Sequence, residues 1–519
     1  MKSYTAPCPS CGAPVDFTVS ETLVTICDFC RSVVARGDKK LEDHGKVADL
    51  VQTRSPLELG IRGKFKRTSF ELIGRVQYEH SAGGVWDEWY LLFSNGKFGW
   101  LAESQGKFHL TVEKSLKSAN AIPSLDQLEV GNRWEFEEPV GSLAVAEKGT
   151  AKAGSAEGEI PWAFAPGAEH VYADLQGESG AFGTLDYSGD APRLFLGREV
   201  TLDELGIADR DVGDKGVQKT RGLLLNCPKC GGPLTLIAPD ETQRVTCTNC
   251  SSMLHADHGN LRYLHTLRLR KKKPLIPLGT TGRIRDVEYT VIGFMERYVV
   301  YEGKKYPWTE YLLYHPRVGF RWLVHSDKHW NFVEPISAGD VNRWGINASY
   351  NGDEYRLFQR GTARVRHVLG EFYWQVAVGD KVLTRDYVSP PHMLSFESSD
   401  FNQGSEINVS LGTYMTPDAV ESIFDVKGLS RPWSPGPNQP PPNNGAIFKT
   451  WFAFLGILIL LDVIFANGWI TEKLDQWLFA YALVFVSIVP VGTLLYNHSF
   501  ERQRWAESDY SPYATDDDE

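Results

Sequence analysis

Cys8-Pro9-Ser10-Cys11-Gly12 with Cys27-Asp28-Phe29-Cys30, and again Cys227-Pro228-Lys229-Cys230-Gly231 with Cys247-Thr248-Asn249-Cys250, are the stretches that decide the architecture of this chain. The four C-x-x-C pairs account for all eight cysteines. A C-x-x-C turns two thiolates toward one point, and the Gly after each first pair frees the backbone to complete the turn. Two such knuckles, 15 or 16 residues apart, supply four sulfurs in a tetrahedron, the donor set of a closed structural metal site. No coordination position is left open for catalysis. The predicted ligands are Cys8, Cys11, Cys27 and Cys30 for one ion and Cys227, Cys230, Cys247 and Cys250 for a second. Zn2+ is the expected cofactor at both sites, and iron in a rubredoxin-like S4 site is its chemical rival. Disulfides would suit an exported chain, but Met1 to Pro14 is polar and reads as no export segment.

Outward from the knuckles the chain repeats itself. A shift of 219 places Cys8 on Cys227 and Cys11 on Cys230, and one residue more superposes Cys27 on Cys247. Asp43-His44-Gly45 recurs as Asp257-His258-Gly259, and Leu59-Gly60 with Gly63 as Leu278-Gly279 with Gly282. Ile73-Gly74 answers Ile292-Gly293, Trp89 to Phe93 answers Glu310 to Tyr314, and Trp100-Leu101 answers Trp322-Leu323. Gly149 to Lys152 pairs with Gly361 to Arg364, and Gly158-Glu159 with Trp162 pairs with Gly370-Glu371 and Trp374. Segments such as 69–78, 88–93, 97–102, 289–296, 311–314 and 370–378 mix aromatic and β-branched residues and are separated by Gly, Asn or Asp, which predicts strands. Short helices are expected after Thr201 and Thr416, each a Thr N-cap followed by an acidic first turn.

The expected fold is mainly β with small α content, in two tandem units of a zinc ribbon plus a barrel-like or sandwich-like domain. Ribbons are placed at 1–40 and 220–258, β-rich domains at 41–215 and 259–429. A Pro-rich linker over 430–446 reads as an extended spacer. Beyond it, Ile447 to Ala466 is apolar except for Lys449, Thr450 and Asp462, and Trp477 to Tyr496 is broken only by Ser487, Pro490 and Thr493. Each run is long enough to cross a hydrocarbon core of ~30 Å, so 447–496 is predicted to be a transmembrane hairpin, with an acidic tail over 497–519. Arg431, Lys449, Arg502 and Arg504 outweigh Lys473 in the connecting loop, which predicts both termini in the cytoplasm.

Composition narrows the function. At net charge −11, binding to bare nucleic acid is disfavoured. There is no P-loop, H-E-x-x-H, G-x-S-x-G or dinucleotide fingerprint, which leans away from an enzyme. Secondary polar candidates are Asp43, His44, Asp257, His258 and the intramembrane Asp462. The first four also read as a polar turn leaving each ribbon. Trp162 and Trp374 read as core aromatics, with a groove role as the alternative. Arg268 to Lys273 is the strongest basic cluster, suited to lipid headgroups or to a solvated strand end.

With its C-P-x-C-G knuckles, Leu59 to Gly63 and Leu278 to Gly282 segments, Tyr-Leu-Leu strands and Trp-Leu pairs, the chain resembles a bacterial family built on domain of unknown function 4178, commonly preceded by a zinc ribbon. The resemblance covers most of 1–430 and implies an envelope-associated accessory role at the inner membrane, with no catalytic residues to carry over. The leading expectation is therefore a membrane-anchored, non-enzymatic scaffold or adaptor with a cytoplasmic or membrane-associated protein partner, in envelope stress or membrane maintenance. The alternatives are an iron electron carrier, or an enzyme or binding protein for a small cationic substrate.

Overall fold

A computed structural model describes residues 4–17, 22–36, 41–48, 50, 55–81, 83–104, 106–116, 122–162, 164–207, 223–239, 241–257, 260–267, 273–401, 404–442, 444–466 and 476–513. Within these the fold is mainly β, in two tandem units, each with a four-cysteine cluster, followed by two apolar helices. His258, residues 268–272 of the basic run, most of the tether after residue 205 and the acidic residues 516–519 lie outside the described residues.

Each unit closes an antiparallel eight-stranded barrel. In the first, β1 (Thr68–His80), β2 (Val85–Phe93), β3 (Phe98–Ser104) and β4 (Lys107–Glu113) form one meander. The second meander is β5 (Gly141–Ile160), β6 (Glu169–Gln176), β7 (Ala181–Asp186) and β8 (Arg193–Val200). Two long-range pairings shut the ring, β1 with β5 (Gly74 opposite Gly158) and β4 with β8 (Leu110 opposite Arg198). The second barrel repeats this with β9 (Val287–Tyr301), β10 (Lys304–His315), β11 (Gly319–Ser326) and β12 (His329–Ile336), then β13 (Asp353–Phe372), β14 (Lys381–Ser389), β15 (His392–Phe401) and β16 (Gly404–Met415). It closes through β9 with β13 and β12 with β16. The segment expected as a strand over 370–378 is strand only to Phe372, because Gly370 takes φ +85 and the chain turns toward the Ala377–Asp380 bend.

Alternation along the strands assigns two faces. Phe70, Leu72, Trp89, Leu91 and Leu101 point outward and are buried under Leu57 and Leu205. Burying each such side chain contributes roughly 1.5–3 kcal/mol. Tyr78, Trp86, Glu88, Trp100, Tyr172, Asp174 and Phe195 share the lumen face. The register of β2 against its counterpart corrects the alignment read from the sequence. Glu88 pairs with Val76 and Glu310 with Met295, so Trp86-Asp87-Glu88 corresponds to Trp308-Thr309-Glu310, one residue off the Tyr-Leu-Leu match.

Each ribbon adds its sheet to its barrel. Thr25 pairs with Glu159 at the end of β5, and Val245 pairs with Glu371 at the end of β13. The Glu371 carboxylate also accepts from Ile237 N (2.8 Å), Ala238 N (3.1 Å) and Thr242 Oγ1 (2.9 Å). Ribbon 1 takes in Leu41–Lys46, which pairs with Ser32–Arg36. After Met415, Thr416 caps α1 (Pro417–Phe424) through a bond from Ala419 N, whereas Thr201 and Glu204 cap only a turn.

The two barrels stack through unlike faces. Glu147 and Lys148 of β5 pair with Glu406 and Ser405 of β16, Ala338 N donates to Gln176 Oε1 (2.7 Å) and Ser179 N to Asp340 Oδ1 (2.6 Å). A Cβ on Gly339 would lie 2.3 Å from the Gly177 carbonyl oxygen, so the approach requires Gly. The far end of barrel 2, at the 326–329 and 389–392 turns, meets the Pro-rich linker. That linker is a packed strap rather than a free spacer. Asn438 is fully buried and donates to Asn331 Oδ1 (2.6 Å) and Pro391 O (3.1 Å), and His329 Nε2 lies 3.1 Å from Ser434 O.

The helices α2 (Gly445–Ala466) and α3 (Gln476–Arg504) follow, each carrying a stretch long and apolar enough to cross a membrane. Arg504 at the end of α3 donates to Gly436 O and Pro437 O (2.9 Å each), and Trp505 packs on Phe358.

Candidate metal centres and ligand chamber

Gly12 and Gly231 take φ +77 and +69, the left-handed turn that brings each first pair of thiols around. The Sγ atoms of Cys8 and Cys30 are 3.7 Å apart, as are those of Cys11 and Cys27. In the second cluster the spacings are 3.8 Å (Cys227 to Cys250) and 3.9 Å (Cys230 to Cys247). A disulfide needs about 2.05 Å. The edge of a tetrahedron with metal–sulfur bonds of about 2.3 Å is about 3.8 Å, and the clusters match that edge. Burial pushes the Cys27 and Cys247 thiols up, so their thiolates call for a cation. All eight predicted ligands therefore assemble into two sets that could each hold a metal ion.

The other polar candidates are not drawn into these clusters. Asp43 Oδ1 accepts from Gly45 N (3.0 Å) and His44 Nε2 lies 3.4 Å from Glu42, both at the surface. Asp257 ends the strand Ser252–Asp257, and Asp462 is half-buried in α2. Trp162 folds over the outer end of barrel 1, where it stands 3.9 Å from the Tyr90 ring and stacks on Trp100. Trp374 packs edge-on to Trp322.

The residues that sequence reading missed lie in the lumens. A cavity of about 3920 Å³ is lined by both barrels, by Thr242, Gln243 and His255 of ribbon 2 and by Ser434 to Pro437 of the strap. In barrel 1 its wall holds Trp86, Glu88, Glu147, His170, Tyr172 and Asp174. Trp86 Nε1 donates to Glu88 Oε1 (3.3 Å), Thr184 Oγ1 to Asp174 Oδ1 (2.7 Å) and Tyr172 OH to Glu147 Oε1 (2.6 Å). His80 Nε2 lies 2.7 Å from the same Glu147 oxygen. Burial pushes Glu88 up to about 7, and burial together with the Glu147 charge pushes Asp174 up to about 8. Asp186, despite its own burial, is held low by His170 and by Arg193 (2.6 Å). Among the described residues, Glu88 and Asp174 form no salt bridge.

Barrel 2 places Trp308, Glu310, Asp386 and Ser395 at the equivalent positions, and there Trp308 Nε1 donates to Glu310 Oε1 (2.6 Å) and Ser395 Oγ to Asp386 Oδ1 (2.6 Å). It differs in one occupant. Arg297 stands where barrel 1 has Tyr78, opposite the tryptophan in each case. Its guanidinium reaches Glu310 (3.1 Å) and, across the lumen, Glu397 (2.7 Å), and lies 5.7 Å from the centre of the Trp308 ring. Burial works against that charge, and the two carboxylates hold it protonated.

Glu406 stands at the junction of the lumens, mostly buried, its carboxyl pushed up by burial and by Glu147. The Trp-x-Glu pair present in both repeats was the available signal. No curated protein matches the chain. The family model for Domain of unknown function (DUF4178) matches at 58–202 and again at 277–417, one match per barrel and together more than half of the chain, so the protein belongs to that family and carries its domain in duplicate.

Proposed function

We propose that this is a membrane-anchored binding protein that takes a small organic cation into the barrel chamber, with zinc in both ribbons as a structural ion. The observation that carries the reading is the lumen of barrel 1. There Glu88 and Asp174 are buried beside Trp86 and Tyr172 with no salt-bridge partner among the described residues, in a cavity large enough for a ligand. Buried carboxyls without a counter-charge are costly, and a cation that enters relieves both. Aromatic walls favour the same class of guest. Eight-stranded barrels have the width to hold one small ligand. Thiolate sites suit a reducing compartment, and the flanking Arg502 and Arg504 favour a cytoplasmic face of the inner membrane for both termini.

The test is native mass spectrometry of the full-length protein in micelles against panels of organic cations, anions and neutral compounds, together with elemental analysis. Retention of cations and two zinc ions per colourless chain is expected. Retention of anions alone, or of nothing, overturns the ligand reading and returns the adaptor with a protein partner. A red protein overturns zinc in favour of iron.

A further inference from the structure

The duplication supplies a guide to the ligand. Barrel 2 holds one cation against two carboxylates, whereas in barrel 1 Arg193 pairs only with Asp186, the counterpart of Glu397, and among the described residues Glu88 has no basic partner. The Arg297 guanidinium is enclosed by Glu310, Glu397 and the Trp308 ring, and Trp308 and Glu310 are the counterparts of Trp86 and Glu88. Tyr78 replaces the arginine in barrel 1, and its ring stacks on Trp86 at 5.3 Å between centroids. The carboxyl that would receive the guanidinium remains, with the Trp86 indole as its hydrogen-bond donor. Asp174, the counterpart of Asp386, adds a second carboxyl facing the same space, and Tyr172 adds an aromatic edge against Trp86. The two lumens therefore share a Trp-x-Glu station whose carboxyl is paired by Arg297 in barrel 2 and, among the described residues, by no basic side chain in barrel 1.

We infer that barrel 1 is a site for a guanidinium group supplied by a small molecule, held by Glu88 and Asp174 against Trp86 and Tyr172. The inference rests on the chamber reading above and names the class of its ligand. A planar guanidinium presents paired N–H donors to a carboxylate, a geometry that a compact ammonium does not offer. The bound group is a substituted guanidinium small enough to pass the mouth that faces barrel 2. Its entry ionises the Glu88 carboxyl, so binding releases a proton.

The experiment is calorimetric titration of the full-length protein in micelles with propylguanidinium, propylammonium and the neutral propylurea, in two buffers of different ionisation heat at pH 7. Expected are at least tenfold tighter binding of propylguanidinium than of either other probe, proton release on binding, and at least tenfold weakening in Glu88→Gln. Tyr78→Arg, which supplies the guanidinium from the chain, should abolish binding. Should that variant fail to fold, Glu88→Gln and the proton count still decide. Equal binding of propylammonium or propylurea, or full affinity in Glu88→Gln, overturns the guanidinium assignment and leaves the chamber reading standing. If none of the three binds and the cation panel is also not retained, both fall.

Discussion

The two barrels have the same strand order, the same closing pairs and the same Trp-x-Glu on their second strands, yet their lumens place their basic side chains differently. In barrel 2, Arg297 satisfies Glu310 and Glu397 from within. In barrel 1, Tyr78 takes its place, and Glu88 and Asp174 stay buried with their ionisation suppressed. A duplicated domain can pair a buried carboxyl from within in one copy and leave its counterpart without a basic partner in the other, and the exchange of Arg297 for Tyr78 accompanies that difference. The second barrel is also the one followed by the two long apolar helices.

The sharpest way to break the comparison acts on both barrels from outside. Structural metal in such clusters contributes on the order of 10–16 kcal/mol to folding at each site. Cys227→Ser should release Arg244–Thr246 from β13 and raise hydrogen exchange around Glu371, leaving the Thr25–Glu159 pairing protected, and Cys8→Ser should do the reverse. Next comes Arg297→Met, which strands Glu310 and Glu397 in the lumen. A loss of about 3–5 kcal/mol is expected in denaturant unfolding, against less than about 1.5 kcal/mol for Tyr78→Phe, a near-isosteric change.

A third test uses pH. Glu88 and Asp174 are raised in the folded protein, so their contribution to stability is full below their unfolded values and is lost as pH rises through about 7 and about 8. Glu147, Asp186, Tyr78, Tyr172, His80, His170 and Arg193 face the same space. The thermal midpoint of the ligand-free protein should fall between about pH 4 and pH 8, and Glu88→Gln should flatten that slope up to about pH 7. The smallest effect separates the ends of the two units. Thr416→Ala removes the cap of a true helix and should cost about 1 kcal/mol. Thr201→Ala opens only a capped turn and should cost less, which differential scanning calorimetry can resolve.

The ribbons, the duplication and the apolar helices were legible in the sequence because each rests on local spacing. Four C-x-x-C pairs fix their own ligands, and an apolar run of helix length needs no partner to be recognised. Barrel closure was not legible. It depends on Gly74 meeting Gly158 and Leu110 meeting Arg198, pairings between distant segments that leave no periodic trace. The chamber was obscured for a second reason. A polar lumen opposite a buried outer face makes both sides of a strand look partly buried, as in β1, where residues 74–78 are all buried. Matching Trp89 to Glu310 slipped the repeat by one residue, and in a strand a slip of one exchanges the faces. That slip separated Trp86-Asp87-Glu88 from Trp308-Thr309-Glu310, the pair that marks the site.

The head-to-tail seating of one barrel on the other has a consequence for assembly. A contact between unlike faces, unlike a twofold one, is not self-limiting, and repeated units joined this way grow until something ends the series. The two outer ends differ here. Trp162 and the ribbon side chains Val24, Ile26 and Val33 close one end, and the strap from Ser434 to Asn438, pinned by Arg504, occupies the other. The strap covers on barrel 2 the end that barrel 1 offers to its neighbour.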